Sequence, residues 1–124
     1  MNGSNSERNI QNAVRMAASM AGWRVWRNNV GVLIDSRGVP VRYGLANDST
    51  AVNKNIKSAD LIGIRPVLIL PEHVGHTVGQ FVSLEVKRAG WAPGGTDARE
   101  LAQTNWRNLV LSLGGYAKFT TGEL

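Results

Sequence analysis

The segment Val82–Lys87 alternates apolar and polar side chains, and this period of two is typical of a half-buried β-strand. Because alternate residues of a strand point to the same side, Glu85 and Lys87 share one face. Upstream, Asp60 interrupts the otherwise apolar segment Ser58–Ile64, which also has the character of a strand. Two acids and a lysine that converge at strand ends are suited to hold a hard divalent cation beside a phosphate, which is the chemistry of metal-dependent phosphodiester cleavage.

The same residues also have a plain structural interpretation. The Glu-x-Lys spacing is common by chance, and Glu85 and Lys87 on a solvated strand face would simply form a surface ion pair. Two features favour a functional site. An uncompensated carboxylate is costly inside an apolar strand, which is where Asp60 stands. The strand that carries Lys87 also leads into a loop and the opening of a helix, a common place for active-site groups.

Composition predicts one folded domain with a bias towards polyanionic partners. A chain of 124 residues suffices for one core but not for two, so residues 1–124 are predicted to form a single domain. The net charge of +5 favours polyanions, and the absence of cysteine excludes disulfides and thiolate metal sites. No apolar run approaches the roughly 20 residues that span a bilayer, and the polar N-terminus is not that of a signal peptide. We therefore expect a cytoplasmic protein with no membrane partner.

The predicted elements form a small α/β or α+β sandwich around a mixed sheet. Helices are predicted at 4–21, where Ser4 and Glu7 have the spacing of a capping box, and at a segment that is capped by Thr96 or Asp97 and runs to about residue 113. Residues 44–57, rich in Asn and Ser, are predicted to be a loop. Strands are predicted at 23–27, 59–64, 67–70, 81–88 and 116–119, with a hairpin at 31–34 and 39–43. The inner face of the second helix is predicted to consist of Leu101, Ala102, Trp106, Leu109 and Leu113.

Gln103 and Glu7 are candidates with strong structural alternatives. The amide of Gln103 is able to touch a phosphate, a metal-bound water or a catalytic lysine, but its spacing alone favours a solvent-facing helix residue. Glu7 is a capping glutamate if Ser4 is its partner, a role that contributes about 1 kcal/mol. It would supply a further metal-site acid only if the first helix packs beside the end of the sheet.

Basic residues are spread along the chain and form no dense run. Such a diffuse positive face suits phosphate contacts that carry no sequence information. The side chains predicted to contact DNA are Arg27, Arg42, Lys57 and Arg88. Of the four tryptophans, only Trp91 lies in a Gly/Pro loop where base stacking is an alternative to core packing. His73 and His76 are interpreted as surface residues, because a zinc site needs more ligands.

Asp60, followed by Glu85-Val86-Lys87, resembles the PD-(D/E)XK nuclease signature, and the flanking segments are similar to the VRR-NUC family. The resemblance is carried by Val25–Asn29 with Gly31, Val41–Gly44, Ser58–Gly63, Leu84–Arg88, and Gln103 followed by Leu113–Ala117. These segments span most of the chain, and its short form is similar to stand-alone phage and bacterial members. One departure is Ser58-Ala59, where many members carry Gly and Pro before the aspartate, which leaves the turn before Asp60 open.

The resemblance implies an α/β fold with a PD-(D/E)XK, restriction-endonuclease-like core, in which helices flank a mixed central sheet. It implies a Mg²⁺- or Mn²⁺-dependent endonuclease with no organic cofactor. Such an enzyme acts as a homodimer on branched DNA, for example four-way (Holliday) junctions, in a bacterial or phage-infected cell. Oxygen ligands favour these ions over zinc.

The resemblance also assigns roles by position. Asp60 and Glu85 would be metal ligands together with the backbone carbonyl of Val86. Lys87 would position the attacking water or stabilise charge on the phosphate. The remaining matches are Gln103, at the position of the family's helix glutamine, and Glu7, at that of its first-helix acid.

Other functions and interfaces remain open from the sequence. A non-catalytic, basic nucleic-acid-binding module on the same fold would keep the positive face while its acids pair with lysines. A nuclease of flaps, single-stranded ends or RNA is a further alternative. For the dimer, the hairpin Val30–Tyr43 would either supply the interface or pack on its own core.

Overall fold

The computed structural model describes residues 6–124, and the chain divides into two compact units, one ending at Gly63 and the other comprising Ile64–Leu124. Helices α1–α3 comprise Glu7–Met20, Thr50–Asn55 and Ala98–Ser112. Strands β1–β6 comprise Arg24–Arg27, Gly31–Ile34, Pro40–Tyr43, Leu61–Ile64, Val82–Val86 and Tyr116–Thr120. The mixed α/β class is therefore confirmed, whereas the single domain 1–124 stays a prediction. Among the described residues, no helix is long and apolar enough to cross a membrane.

The strands of the described residues form three two-stranded sheets, β1 with β4, β2 with β3, and β5 with β6. The second pair is antiparallel and the third is parallel, so both kinds of pairing are present. The continuous mixed sheet expected from the sequence is not observed in residues 6–124.

Helix α1 confirms the first predicted helix and begins at Ser6. The Ser6 hydroxyl accepts a hydrogen bond from the backbone N–H of Asn9 at 3.1 Å, which satisfies one of the free donors of the first turn. Ser4 of the predicted capping box lies outside the described residues. Glu7 is exposed in the first turn, where a negative charge interacts favourably with the helix dipole.

The predicted hairpin is confirmed as β2 and β3, which pair in register from Gly31 opposite Tyr43 to Ile34 opposite Pro40. In the turn, Asp35 Oδ1 accepts hydrogen bonds from the backbone N–H groups of Val39 at 2.9 Å and Arg37 at 2.8 Å. The bond from Val39, followed by that from the Arg37 side chain, lowers the pKa of the Asp35 carboxyl below its ordinary value. The turn is thus closed by its own acidic residue.

The predicted loop 44–57 contains a helix, α2, which the sequence analysis missed. Helix α2 begins at Ser49, whose hydroxyl accepts from the backbone N–H of Val52 at 3.2 Å. Its six residues bury no side chain, so they leave no apolar periodicity in the sequence. The Ser49 side chain caps this short helix. Serine and asparagine are also common in loops, so the composition of the segment favoured a loop.

The second unit is built on the parallel pair β5–β6, against which α3 packs. Ser83 lies opposite Ala117 and Glu85 opposite Phe119 in this pair. Helix α3 begins at Asp97, whose side chain accepts from the backbone N–H of Arg99 at 2.9 Å, as the sequence predicts. Val110 of α3 is fully buried.

One prediction about the second unit is wrong and another is correct only in part. Residues Val67–Leu70 form no strand and are exposed. Pro66 and Pro71 bracket this segment, and proline cannot donate to a strand ladder.

On the predicted inner face of α3, Leu109 and Leu113 are half-buried as expected, whereas Leu101 and Ala102 are exposed. Gln103, Arg107 and Val110, which were not assigned to this face, are half-buried or buried.

Candidate active site

Helix α3 covers the polar side of β5 instead of its apolar side. Phe81, Ser83, Glu85 and Lys87 are half-buried, whereas Val82, Leu84 and Val86 are exposed in this chain. The indole Nε1 of Trp106 on α3 donates to the Ser83 hydroxyl at 2.8 Å, so the polar side has partners on the helix. The alternating pattern therefore predicted the strand, but not which side the helix covers.

Lys87 is held by α3 and by two aromatic rings. Its Nζ donates to Gln103 Oε1 at 2.6 Å, across a part-buried contact. The same ammonium lies 5.6 Å from the ring centre of Trp91 and 5.5 Å from that of Phe119, and these two rings are in contact at 5.1 Å. The solvent-facing interpretation that the spacing favoured for Gln103 is thus wrong, and contact with the lysine, one of the three alternatives, is observed. Trp91 packs against the ring of Phe119.

Glu85 shares a strand side with Lys87, as predicted, but the two form no salt bridge in the described residues. The surface ion pair considered from the sequence is therefore not present. Instead, the neutral amide of Gln103 takes the hydrogen bond of the ammonium and leaves its charge uncompensated by this contact. The Lys87 ammonium therefore lies at the end of β5, the strand that carries the Glu85 carboxylate.

Arg107 belongs to the same cluster and was missed by the sequence analysis. It lies four residues after Gln103 on α3, and its guanidinium is 5.4 Å from the ring centre of Phe119. Its Nε is buried and has no hydrogen-bond partner in the described residues. The spacing of four between Gln103 and Arg107 places both on one side of the helix and was the only signal available.

Asp60 is exposed and lies directly before β4 in the first unit, not within the strand. The argument from the cost of a buried carboxylate therefore does not apply to it. Its position is fixed by Asn28, whose backbone N–H donates to the Asp60 carbonyl at 2.9 Å. Asn28 Nδ2 donates to the Ala59 carbonyl at 2.9 Å and to the Ser58 hydroxyl at 2.7 Å.

Ser58 takes part in the hydrogen bonds that shape the chain before Asp60. Its hydroxyl accepts from Asn28 and donates to the Leu45 carbonyl at 2.7 Å, while Asn28 Oδ1 accepts from the Leu45 backbone N–H at 3.2 Å. These bonds join the segments around residues 28, 45 and 58 into one network. A hydrogen-bonded serine thus defines the turn that the sequence left open.

The other predicted site residues occupy varied positions. The Val86 side chain is exposed on β5, and Glu7 is exposed on α1. Arg27, at the end of β1, and Arg88, after β5, are exposed. Arg42 and Lys57 both line one open cavity of the first unit.

No group of three His, Cys, Asp or Glu side chains that could hold a metal ion is found in residues 6–124. Asp60 belongs to the first unit and Glu85 to the second, and neither carboxylate forms a salt bridge in this part of the chain. Mg²⁺ is commonly held by one or two carboxylates, with waters and substrate phosphate completing its coordination. The metal ion expected from the sequence stays a prediction.

Comparison with known proteins adds no assignment. No family model matches the chain, and comparison with curated proteins and with solved structures finds no match. The resemblance to the VRR-NUC family stays a prediction from the sequence.

Proposed function

We propose that this protein is a Mg²⁺- or Mn²⁺-dependent DNA endonuclease with a PD-(D/E)XK core, selective for branched DNA such as four-way junctions. One observation carries the proposal. The Lys87 ammonium is tethered by a neutral glutamine on α3 and lies on the same strand side as Glu85. Because its partner in this hydrogen bond is a neutral amide, no acidic side chain competes there with a phosphate for the ammonium. Preorganised charge is a major source of stabilisation for phosphoryl transition states.

Within this proposal, Asp60, Glu85 and the Val86 carbonyl would hold the metal ion, and Glu7 is the further acid considered for it. A bound ion supplies polarisation of the scissile phosphate and lowers the pKa of a coordinated water. Lys87 would stabilise negative charge on the phosphate oxygens, and Gln103 would fix the position of the ammonium. Arg27, Arg42, Lys57 and Arg88 would contact the DNA backbone.

The proposal includes a homodimer, because a four-way junction has two-fold symmetry and its resolution requires two cuts. The apolar residues of the β2–β3 hairpin support an interface there. Leu33 and Ile34 are 63% and 66% exposed, and Val32, Val39 and Val41 are also exposed in the single chain. Light scattering should give twice the chain mass of 13.4 kDa. A monomer that cuts junctions symmetrically would contradict the dimer.

A cleavage assay tests the proposed activity. Junction, flap, duplex and single-stranded DNA are incubated with the protein, with and without Mg²⁺, and compared with the variants Asp60→Asn and Glu85→Gln. We expect metal-dependent cleavage of junction DNA that each variant abolishes. Binding of DNA should persist in both variants, since the loss of a negative charge does not weaken attraction to phosphates.

The alternatives are distinguished by the same assay. Binding without cleavage under any metal condition would replace the nuclease with a basic nucleic-acid-binding module. Cleavage restricted to flaps or single strands would retain the nuclease and change its substrate. Full activity in Glu85→Gln would remove Glu85 from the reaction.

A further inference from the structure

An open cavity of about 290 Å³ in the first unit gathers two cationic side chains. Arg42 reaches it from β3, and Lys57 from the segment after α2. Asn47, Asn53 and Ser58 supply the polar part of its lining. None of the residues that line the cavity is an aspartate or a glutamate.

The two cations are bound only by neutral acceptors. Arg42 Nε donates to the Asn47 carbonyl and Arg42 Nη2 donates to Asn47 Oδ1, both at 2.9 Å. Lys57 Nζ donates to the carbonyl and to Oδ1 of Asn53, at 3.1 and 2.8 Å. Neither side chain forms a salt bridge in the described part of the chain. Two positive charges thus share one concave surface without compensation.

The position of Arg42 is fixed by a buried amide. Asn47 is 3% exposed, and its Nδ2 donates at 2.8 Å to the carbonyls of both Gly31 and Tyr43. Asn47 therefore ties the open end of the hairpin to the side chain of Arg42. A guanidinium held in this way loses little additional conformational entropy when it binds a ligand.

We propose that this cavity binds a phosphate group of a nucleic-acid backbone through Arg42 and Lys57. A planar guanidinium matches two phosphate oxygens, and an ammonium adds a point charge. The identity of this ligand rests on the nucleic-acid binding in the proposed function. Binding of a phosphate in the cavity, however, requires neither a metal ion nor cleavage of the DNA. A failed nuclease assay and a failed binding test are consequently separate results.

The salt dependence of DNA binding tests the cavity directly. The affinity for a duplex oligonucleotide is measured in metal-free buffer over a series of salt concentrations for the wild type, Lys57→Gln and Lys54→Gln. Each lost phosphate contact lowers the slope of log affinity against log salt by about 0.9. We expect this change in Lys57→Gln. Lys54 lies on α2 outside the cavity lining, so Lys54→Gln, with the same loss of charge, should keep the slope.

Two further variants separate charge from folding. Lys57→Arg keeps the charge and should restore the wild-type slope. Arg42→Gln should lower the slope as Lys57→Gln does, if its melting curve shows a folded protein. An unchanged slope in Lys57→Gln, or equal changes in Lys57→Gln and Lys54→Gln, would overturn the cavity as a phosphate site.

NMR titration identifies the source of the phosphate. With an oligonucleotide in metal-free buffer, we expect the largest amide shifts near Asn47, Asn53 and Ser58, and we expect much weaker shifts with inorganic phosphate. Shifts there with inorganic phosphate alone would assign the cavity to a free phosphate ligand and overturn its role in backbone binding. Shifts confined to other residues with either probe would remove the cavity from phosphate binding.

Discussion

Different kinds of contact stabilise the interior of each of the two units. In the first unit, the side chains of Asn28, Asn47 and Ser58 bond to backbone groups of distant segments and fix irregular stretches between short elements. In the second unit, one long helix packs on a parallel strand pair, and side-chain pairs such as Lys87–Gln103 join them. The first unit thus relies on satisfied polar groups, and the second on helix–sheet packing that positions Lys87 and Gln103.

This difference predicts different consequences of mutation in the two units. Loss of a buried polar residue leaves its former partners unpaired and lowers stability. Loss of a half-buried lysine above two rings removes cation–π contacts that contribute about 1 kcal/mol, so activity should change more than stability.

Among the variants that compare the two units, Lys87→Ala is expected to have the largest effect, and that effect is on turnover. We expect cleavage at saturating DNA to fall about 10²- to 10³-fold, because the variant removes a preorganised charge at the phosphate. Gln103→Ala should lower turnover about 10-fold, since the ammonium then loses its tether. Single-turnover rates measure both effects.

Asn105 on α3 is exposed, and Asn105→Ala is the matched control, with wild-type turnover expected. If Lys87→Ala weakened binding but left turnover unchanged, Lys87 would be a backbone contact only. Stabilisation of the charge on the phosphate would then have to come from a residue other than Lys87.

The next effect is on stability and concerns the first unit. Asn47→Ala removes the partners of the Gly31 and Tyr43 carbonyls and of one Arg42 N–H. We expect the free energy of unfolding to fall by about 2 kcal/mol. Denaturant unfolding measures it.

Asn55 gives the matched control for this stability effect. It is exposed on α2, so Asn55→Ala should change the free energy of unfolding by about 0.5 kcal/mol or less. Equal effects of the two substitutions would show that the buried network does not stabilise the first unit.

The sequence predicted most regular elements of both units, although α2 was missed in the first unit and the strand predicted at 67–70 is absent from the second. Helix α3 and strand β6 followed from capping and from the apolar pattern, because those signals are local. Helix α2 and the bonds of Asn28 and Ser58 were missed, since polar residues that satisfy distant backbone groups leave no periodicity. The side of β5 that α3 covers was also missed, because it depends on partners such as Trp106 and Gln103 that only the fold brings near.

For the candidate site, the sequence predicted the residue types but not their surroundings. Glu85 and Lys87 share a strand side and Gln103 reaches the lysine, as the sequence analysis considered. Asn28 beside Asp60 and Arg107 beside Phe119 were not predicted as parts of the site. Asn28 and Arg107 contact these neighbours across distances in the sequence that follow no fixed spacing.

A smaller effect tests the packing of the second unit. The bond from Trp106 Nε1 to the Ser83 hydroxyl joins α3 to β5 at 2.8 Å. In a double-mutant cycle of Trp106→Phe and Ser83→Ala, we expect a coupling energy of about 1 kcal/mol. A coupling near zero would mean that the helix is held on the strand by its apolar contacts alone.

The smallest effect concerns the hairpin turn of the first unit and appears only in acid. Hydrogen bonds from Val39 and Arg37 lower the pKa of Asp35 in the folded chain below its ordinary value of 3.8. Its contribution to stability is therefore fully present above pH 3.8 and is lost as the pH falls from there through the folded pKa. The free energy of unfolding of Asp35→Asn should lack this acid-dependent loss, whereas Arg37→Gln should retain part of it, because the bond from Val39 is the larger cause. Thermal unfolding from neutral pH into this acid range measures the difference, and identical pH profiles for the wild type and Asp35→Asn would show that the turn does not depend on the charge of its carboxylate.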